Sequence, residues 1–132
     1  MKRIRSKNGF TLLEMTVVLM VLLTLLGTGL AVSKQYGNWQ LGRTASEDLR
    51  TVYAAQRLFL ADNPTVLVSS ITSAQIIPYM PNRATVLPTV KSLTGATLSI
   101  RVTVTPPNIN NGSGGIYDPS SSTTDSLWDV GL

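Results

Sequence analysis

One carboxylate is set apart by its surroundings. Glu14 lies in FTLLEMTVVLMVLLTLLGTGLAV, residues 10–32, where no other side chain ionises. A charge in a hydrocarbon environment costs about 2.5–3.5 kcal/mol on insertion scales, so such a residue needs a partner or a purpose. Elsewhere the chemistry is sparse, because the chain has no cysteine and no histidine. It can form no disulfide and no thiolate metal site. It also lacks the commonest general base and transition-metal ligand. Serines are plentiful, but no base is fixed beside them by spacing, and a serine–lysine pair with Lys91 is marked by nothing. These absences speak against an enzyme. The remaining candidates are three tail aspartates, Asp118, Asp125 and Asp129, interspersed with serines. With hydroxyls and backbone carbonyls they could wrap one Ca²⁺, which takes six to eight oxygens, although their spacing is not that of an EF-hand. The commoner role of such aspartates is to form turns in a solvated loop.

The elements that position these residues begin with the apolar run. As a helix at about 1.5 Å per residue, residues 10–32 would reach roughly 35 Å, enough to cross a bilayer's hydrocarbon core. Lys2, Arg3, Arg5 and Lys7 precede it, which predicts one span with the N-terminus in the cytoplasm and the rest outside. These four account for the whole net charge of +4, since the other seven basic residues match the seven acidic ones. The basic balance therefore belongs to the first residues and not to a nucleic-acid surface. A secretory signal peptide also starts basic and turns apolar, and Ala31-Val32-Ser33 could pass for its cleavage site. Its apolar segment is usually 7–15 residues long, however, and carries no carboxylate like Glu14.

Lys7-Asn8-Gly9-Phe10-Thr11-Leu12-Leu13-Glu14 resembles the processing site of type IV pilins and of the pseudopilins of type II secretion. The resemblance covers residues 1 to about 60 and implies several things. A membrane prepilin peptidase would cut after Gly9 and methylate the new amine of Phe10. Residues 1–9 would be a cleaved leader, and Glu14 would be the fifth residue of the mature chain. The implied partners are copies of the chain and related pilin-like subunits in a filament, the peptidase, and an inner-membrane assembly platform. The implied location is the bacterial inner membrane with a periplasmic head. The new amine would stand four residues, about one helical turn, from Glu14. Neutralisation could occur within one chain, or between Glu14 and the Phe10 amine of a neighbour. The family is thought to use the second arrangement to set axial register. Gly27 and Gly29 lie near the outer end of the span, each costing a helix about 1 kcal/mol relative to alanine. They are either a weak point, as in related filaments that lose helix here, or close-packing positions. Relatives often carry a proline where this chain has Ala31.

The helix is expected to continue. Residues 10–33 form its membrane half and residues 34–62 an amphipathic half, in which Leu41, Ala45, Leu49, Val52, Phe59 and Leu60 recur at helical spacing with Tyr53 and Gln56 alongside. Offsets allow Arg43–Glu47 and Glu47–Arg50 contacts on another face, Gly37 and Gly42 are candidate bends, and Asn63-Pro64 stops the helix. Residues 63–132 read as a small head. It should hold a short helix from Ser73, capped by Thr72 or Ser73 and stopped by Pro78 and Pro81. A strand is expected over residues 97–104, with Leu98, Ile100, Val102 and Val104 facing the core. Val86-Leu87, Thr89-Val90 and Ile116-Tyr117 are further strand candidates. Residues 108–132 read as loop, folded back by Trp128 and Val130. The fold class expected is α+β, a long N-terminal helix packed against a small antiparallel sheet.

The resemblance points first to a structural filament subunit, most like a type II secretion pseudopilin. Many type IV pilins, by contrast, carry a C-terminal disulfide loop that this chain cannot form. A membrane-tethered binding domain is the reading from another class.

Overall fold

A computed structural model of the chain describes residues 9–131. The basic residues of the expected leader, Lys2 to Lys7, lie outside the described residues. Helix α1 runs from Leu12 to Asp62. It begins two residues later than expected, because Thr11 caps it instead of joining it. By its contacts the chain divides into two units, one ending at Tyr36 and one starting at Gly37. In the first, every described side chain is exposed. It holds a stretch of α1 long and apolar enough to cross a membrane.

In the second unit α1 turns one face inward. Gly42, Ala45, Ser46, Leu49, Val52, Ala55, Gln56 and Phe59 are buried, a three-and-four spacing that keeps them on one stripe. Leu41 and Leu60, expected in the core, are only partly buried at its edge. The helix ends as predicted, with the Asn63 side-chain amide donating to the carbonyl of Phe59 at 3.0 Å. After it come a 3₁₀ turn at Val68–Ser70 and helix α2, Ser73–Ile76. Gln75 Oε1 accepts from the Thr72 N–H at 2.8 Å and the Thr72 hydroxyl at 3.0 Å, which fixes the start of α2. Pro78 converts the next turn to 3₁₀ at Ile77–Tyr79. Tyr79 then packs edge-on to Phe59, with centroids 5.8 Å apart, and donates its hydroxyl to Asp62 Oδ2 at 2.9 Å. That hydrogen bond holds the phenol above its usual pKa range, with burial and the Asp62 charge adding to it.

The sheet has three antiparallel strands in the order β1 (Thr89–Lys91), β2 (Thr97–Arg101) and β3 (Asn108–Ile109). Val90 pairs with Leu98, and Ile100 with Ile109. Strand β2 is the predicted strand, but it stops at Arg101 and not at residue 104. The physical reason is Gln56. This side chain is fully buried on α1, and its Nε2 donates to the carbonyls of Val102 and Val104, both at 2.8 Å. Val102 remains in the core, so the residues past Arg101 continue inward while their carbonyls serve the helix. Val86-Leu87 precede β1 without joining it.

Residues 108–131 hold more regular structure than their composition suggests. Asn108–Ile109 form β3, Asn110 bridges to Ile116, and the Tyr117 N–H donates to Ile109 at 2.9 Å. The tail then closes on α1. Trp128 is buried, and its N–H donates to the Gly42 carbonyl at 3.2 Å. Its ring lies so close that a Cβ on Gly42 would come within 2.8 Å of Nε1. Gly42 is therefore a seat for the indole and not a bend. Tyr117 meets the same indole edge-on at 5.3 Å. Arg50 does not serve the expected contact with Glu47. Its Nε donates to the Val130 carbonyl at 2.8 Å and a terminal nitrogen to Ser126 Oγ at 2.7 Å.

Candidate processing and assembly site

Gly9, Phe10 and Thr11 lie outside the helix, so the Gly9–Phe10 peptide bond is non-helical and exposed. Space around Gly9 is open, and Phe10 is 75% exposed. A protease needs an unfolded stretch of backbone at the scissile bond, and here it is available. Thr11 sets where the helix starts. Its Oγ1 accepts from the Glu14 N–H at 3.2 Å, and its carbonyl accepts the first helical bond from Met15 at 3.2 Å. Thr11 is thus the N-cap and Glu14 the third helical residue, where a carboxylate also suits the positive end of the helix dipole. Thr-x-x-Glu before an apolar run is a readable cap signature, so the capping role of Thr11 is legible in the sequence.

The other polar residues of the apolar segment satisfy themselves. Thr16 donates to Leu13 at 2.8 Å, Thr24 to Val21 at 2.8 Å, and Thr28 to Leu25 at 2.9 Å, all backbone carbonyls of the same helix. Such back-bonding removes hydroxyls from competition for outside partners. The Glu14 side chain differs: no hydrogen bond or ion pair engages it among the described residues. It stands exposed on a surface of Leu12, Leu13, Val17 and Val18, all at least half exposed. The segment therefore presents one ionic group without a partner among the described residues, on an otherwise apolar cylinder. Helix α1 passes unbroken through Gly27 and Gly29, and a Cβ at either would meet nothing within 4 Å. Among the described residues, no packing calls for glycine at these positions.

Two of the three tail aspartates are engaged by local turns. Asp118 Oδ1 accepts from the Ser120 N–H at 3.0 Å and its hydroxyl at 2.7 Å, and Asp125 Oδ1 accepts from the Leu127 N–H at 3.0 Å. Both are turn formers. Among the described residues no three histidine, cysteine, aspartate or glutamate side chains are grouped so as to hold a metal. Asp129 behaves otherwise, with both carboxylate oxygens buried and making no hydrogen bond. Burial raises its pKa and the Asp125 and Asp118 charges add to this, while the nearby Gly131 N–H and Arg50 pull the other way. Asp48 on α1 is also raised, chiefly by burial and then by Glu47.

An exposed Gly9–Phe10 bond, a capped helix start and a carboxylate without a partner among the described residues stand together at the start of a helix long and apolar enough to cross a membrane. The family model for the prokaryotic N-terminal methylation motif matches residues 4–30. The chain carries the type IV pilin-like prepilin signal. No match was found among curated proteins or among solved structures.

Proposed function

We propose that this chain is a structural subunit of a helical pilus-like filament, cut by prepilin peptidase after Gly9, methylated on Phe10 and assembled from the inner membrane. The observation that carries the proposal is Glu14, a carboxylate without a partner among the described residues and four residues from the Phe10 amine that cleavage would create, inside the matched motif. A buried unpaired charge is heavily penalised. In a bundle of such helices, the Glu14 of one copy pairing with the Phe10 amine of another removes that penalty only in the correct axial register. Gly27 and Gly29, which no packing among the described residues requires, are free to let the helix open or neighbours approach during assembly. The part of the chain that carries chemistry is thus a docking segment, and its role is mechanical and not enzymatic.

The filament we favour is a type II secretion pseudopilus, in which subunits added from the membrane lengthen a fibre that drives protein export. Support comes from the small head and the absence of cysteine, which leaves no C-terminal disulfide loop of the kind common in type IV pilins. The head would then be periplasmic and the residues before Gly9 cytoplasmic. Substitution of Glu14 by alanine tests the role. Processing should continue while filament assembly, followed by cross-linking of neighbouring copies and by the sheared fraction, falls at least about tenfold, as loss of one desolvated ion pair predicts. Assembly at the wild-type level by Glu14→Ala would remove the register mechanism.

A further inference from the structure

The unit that starts at Gly37 carries an uncharged groove lined by Trp39, Leu93, Pro119, Leu127 and the edge of Trp128, with Asn38 and Ser120 beside them. Trp39 is 50% exposed and Leu93 is 41% exposed. Leu93 is held in place, because it sits in the loop between β1 and β2 and its N–H donates to the Tyr117 hydroxyl at 2.8 Å. Ser92 Oγ accepts from the Ala96 N–H at 3.0 Å, and Gly95, at φ +85°, supplies the left-handed residue that closes the turn. The loop thus presents a leucine from a pinned tip.

Position along the chain indicates what covers this groove. Trp39 comes seven residues after Val32, the end of the apolar run, which is on the order of 10 Å of helix. That is the depth of lipid headgroups if residues 10–33 span the membrane, and tryptophan is the side chain most at home there. Arg43, one turn beyond Trp39, and Lys91, two residues before Leu93, add basic groups near lipid phosphates. The neighbouring acids Asp118 and Asp125 each have an oxygen occupied by a turn N–H.

We infer that before assembly the head rests on the outer headgroup layer of its own membrane through the Trp39–Leu93–Leu127 groove, with a lipid surface as the occupant. This rests on the membrane-anchor reading of residues 10–33 and adds to it. Extraction into a filament would then strip lipid from this groove, in addition to moving the span.

The absence of cysteine allows single-site labelling of the full chain. Leu93→Cys, Ala61→Cys and Leu25→Cys, each carrying an environment-sensitive fluorophore, would be placed in phosphatidylethanolamine–phosphatidylglycerol vesicles. Ala61 is exposed and lies 22 residues beyond Trp39 on α1, roughly 33 Å along the helix. The label at position 93 should be quenched by headgroup nitroxide lipids at least about twofold more than the label at 61. Equal quenching at 93 and 61, with position 25 quenched by deep acyl-chain nitroxides, overturns the inference and leaves the anchor intact. A shielded label at 93 that lipid nitroxides do not reach also overturns it, in favour of contact with a second copy. If position 25 is not quenched, the anchor reading falls and the inference with it.

Discussion

The two units share one helix and solve opposite problems. Up to Tyr36, α1 exposes every described side chain, and its threonines return their hydroxyls to their own backbone. From Gly37 the same helix buries a stripe and uses long side chains to hold other elements, Gln56 for the end of β2 and Arg50 for the tail. One stretch is shaped for a surrounding that supplies no hydrogen bonds, the other for a core of its own. Glu14 is the exception in the first stretch, an ionic group that no described residue engages. Helix continuity alone therefore says little about what stabilises a segment. What matters is where its polar groups find partners.

If that contrast is right, substitutions after Gly37 should act on the stability of the head, in order of how much each side chain closes. Trp128→Ala should have the largest effect. It empties the seat over Gly42 and the contact with Tyr117, and should lower head stability by about 3–5 kcal/mol in chemical denaturation. A loss below about 1 kcal/mol would mean that the tail does not close the core. Gln56→Leu keeps apolar volume but leaves two buried carbonyls without their donor, and should cost roughly 1–3 kcal/mol in the same experiment.

The smallest effect is electrostatic. Asp48 and Asp129 both have folded-state pKa values raised above the ordinary 3.8, so their ionised forms are disfavoured in the head. The folded state binds these protons more tightly than the unfolded chain. Their contribution to stability should therefore rise as pH falls through the raised values toward 3.8, and should be least favourable at neutral pH. Asp129→Asn should raise the melting midpoint slightly at pH 7 and flatten its pH dependence. A lower midpoint at pH 7 would show that the ionised carboxylate has a partner that stabilises it.

Much of this was legible in the residues. The apolar run, the Gly9-Phe10 junction and Glu14 declare themselves because they are local in sequence, and the inward stripe of α1 follows from helical spacing. The strand at residues 97–101 shows in its alternation, and the Thr11 cap has a four-residue signature. What sequence could not convey is long-range partnership. Arg50 has Glu47 three residues away, yet it reaches Val130, which lies 80 residues on. Gln56 resembles any polar flank of an amphipathic helix until the end of β2 arrives above it. Gly42 looks like a helix breaker until an indole occupies the space that its missing side chain leaves. The tail's composition suggested a loop, and β3 escaped notice because two residues are too few to show a period. The aspartates suggest a cation through their type, and sequence does not show that Asp118 and Asp125 each also hold a turn.

The central claim is that this chain is processed as a filament subunit, and its N-terminus tests that most directly. The full chain would be produced in cells with and without prepilin peptidase, and the intact mass and N-terminal peptide measured. Processing as proposed gives a chain that begins at Phe10 and carries one added methyl group, and only when the peptidase is present. A chain that begins at Met1 or after Ser33 whether or not the peptidase is present would contradict it.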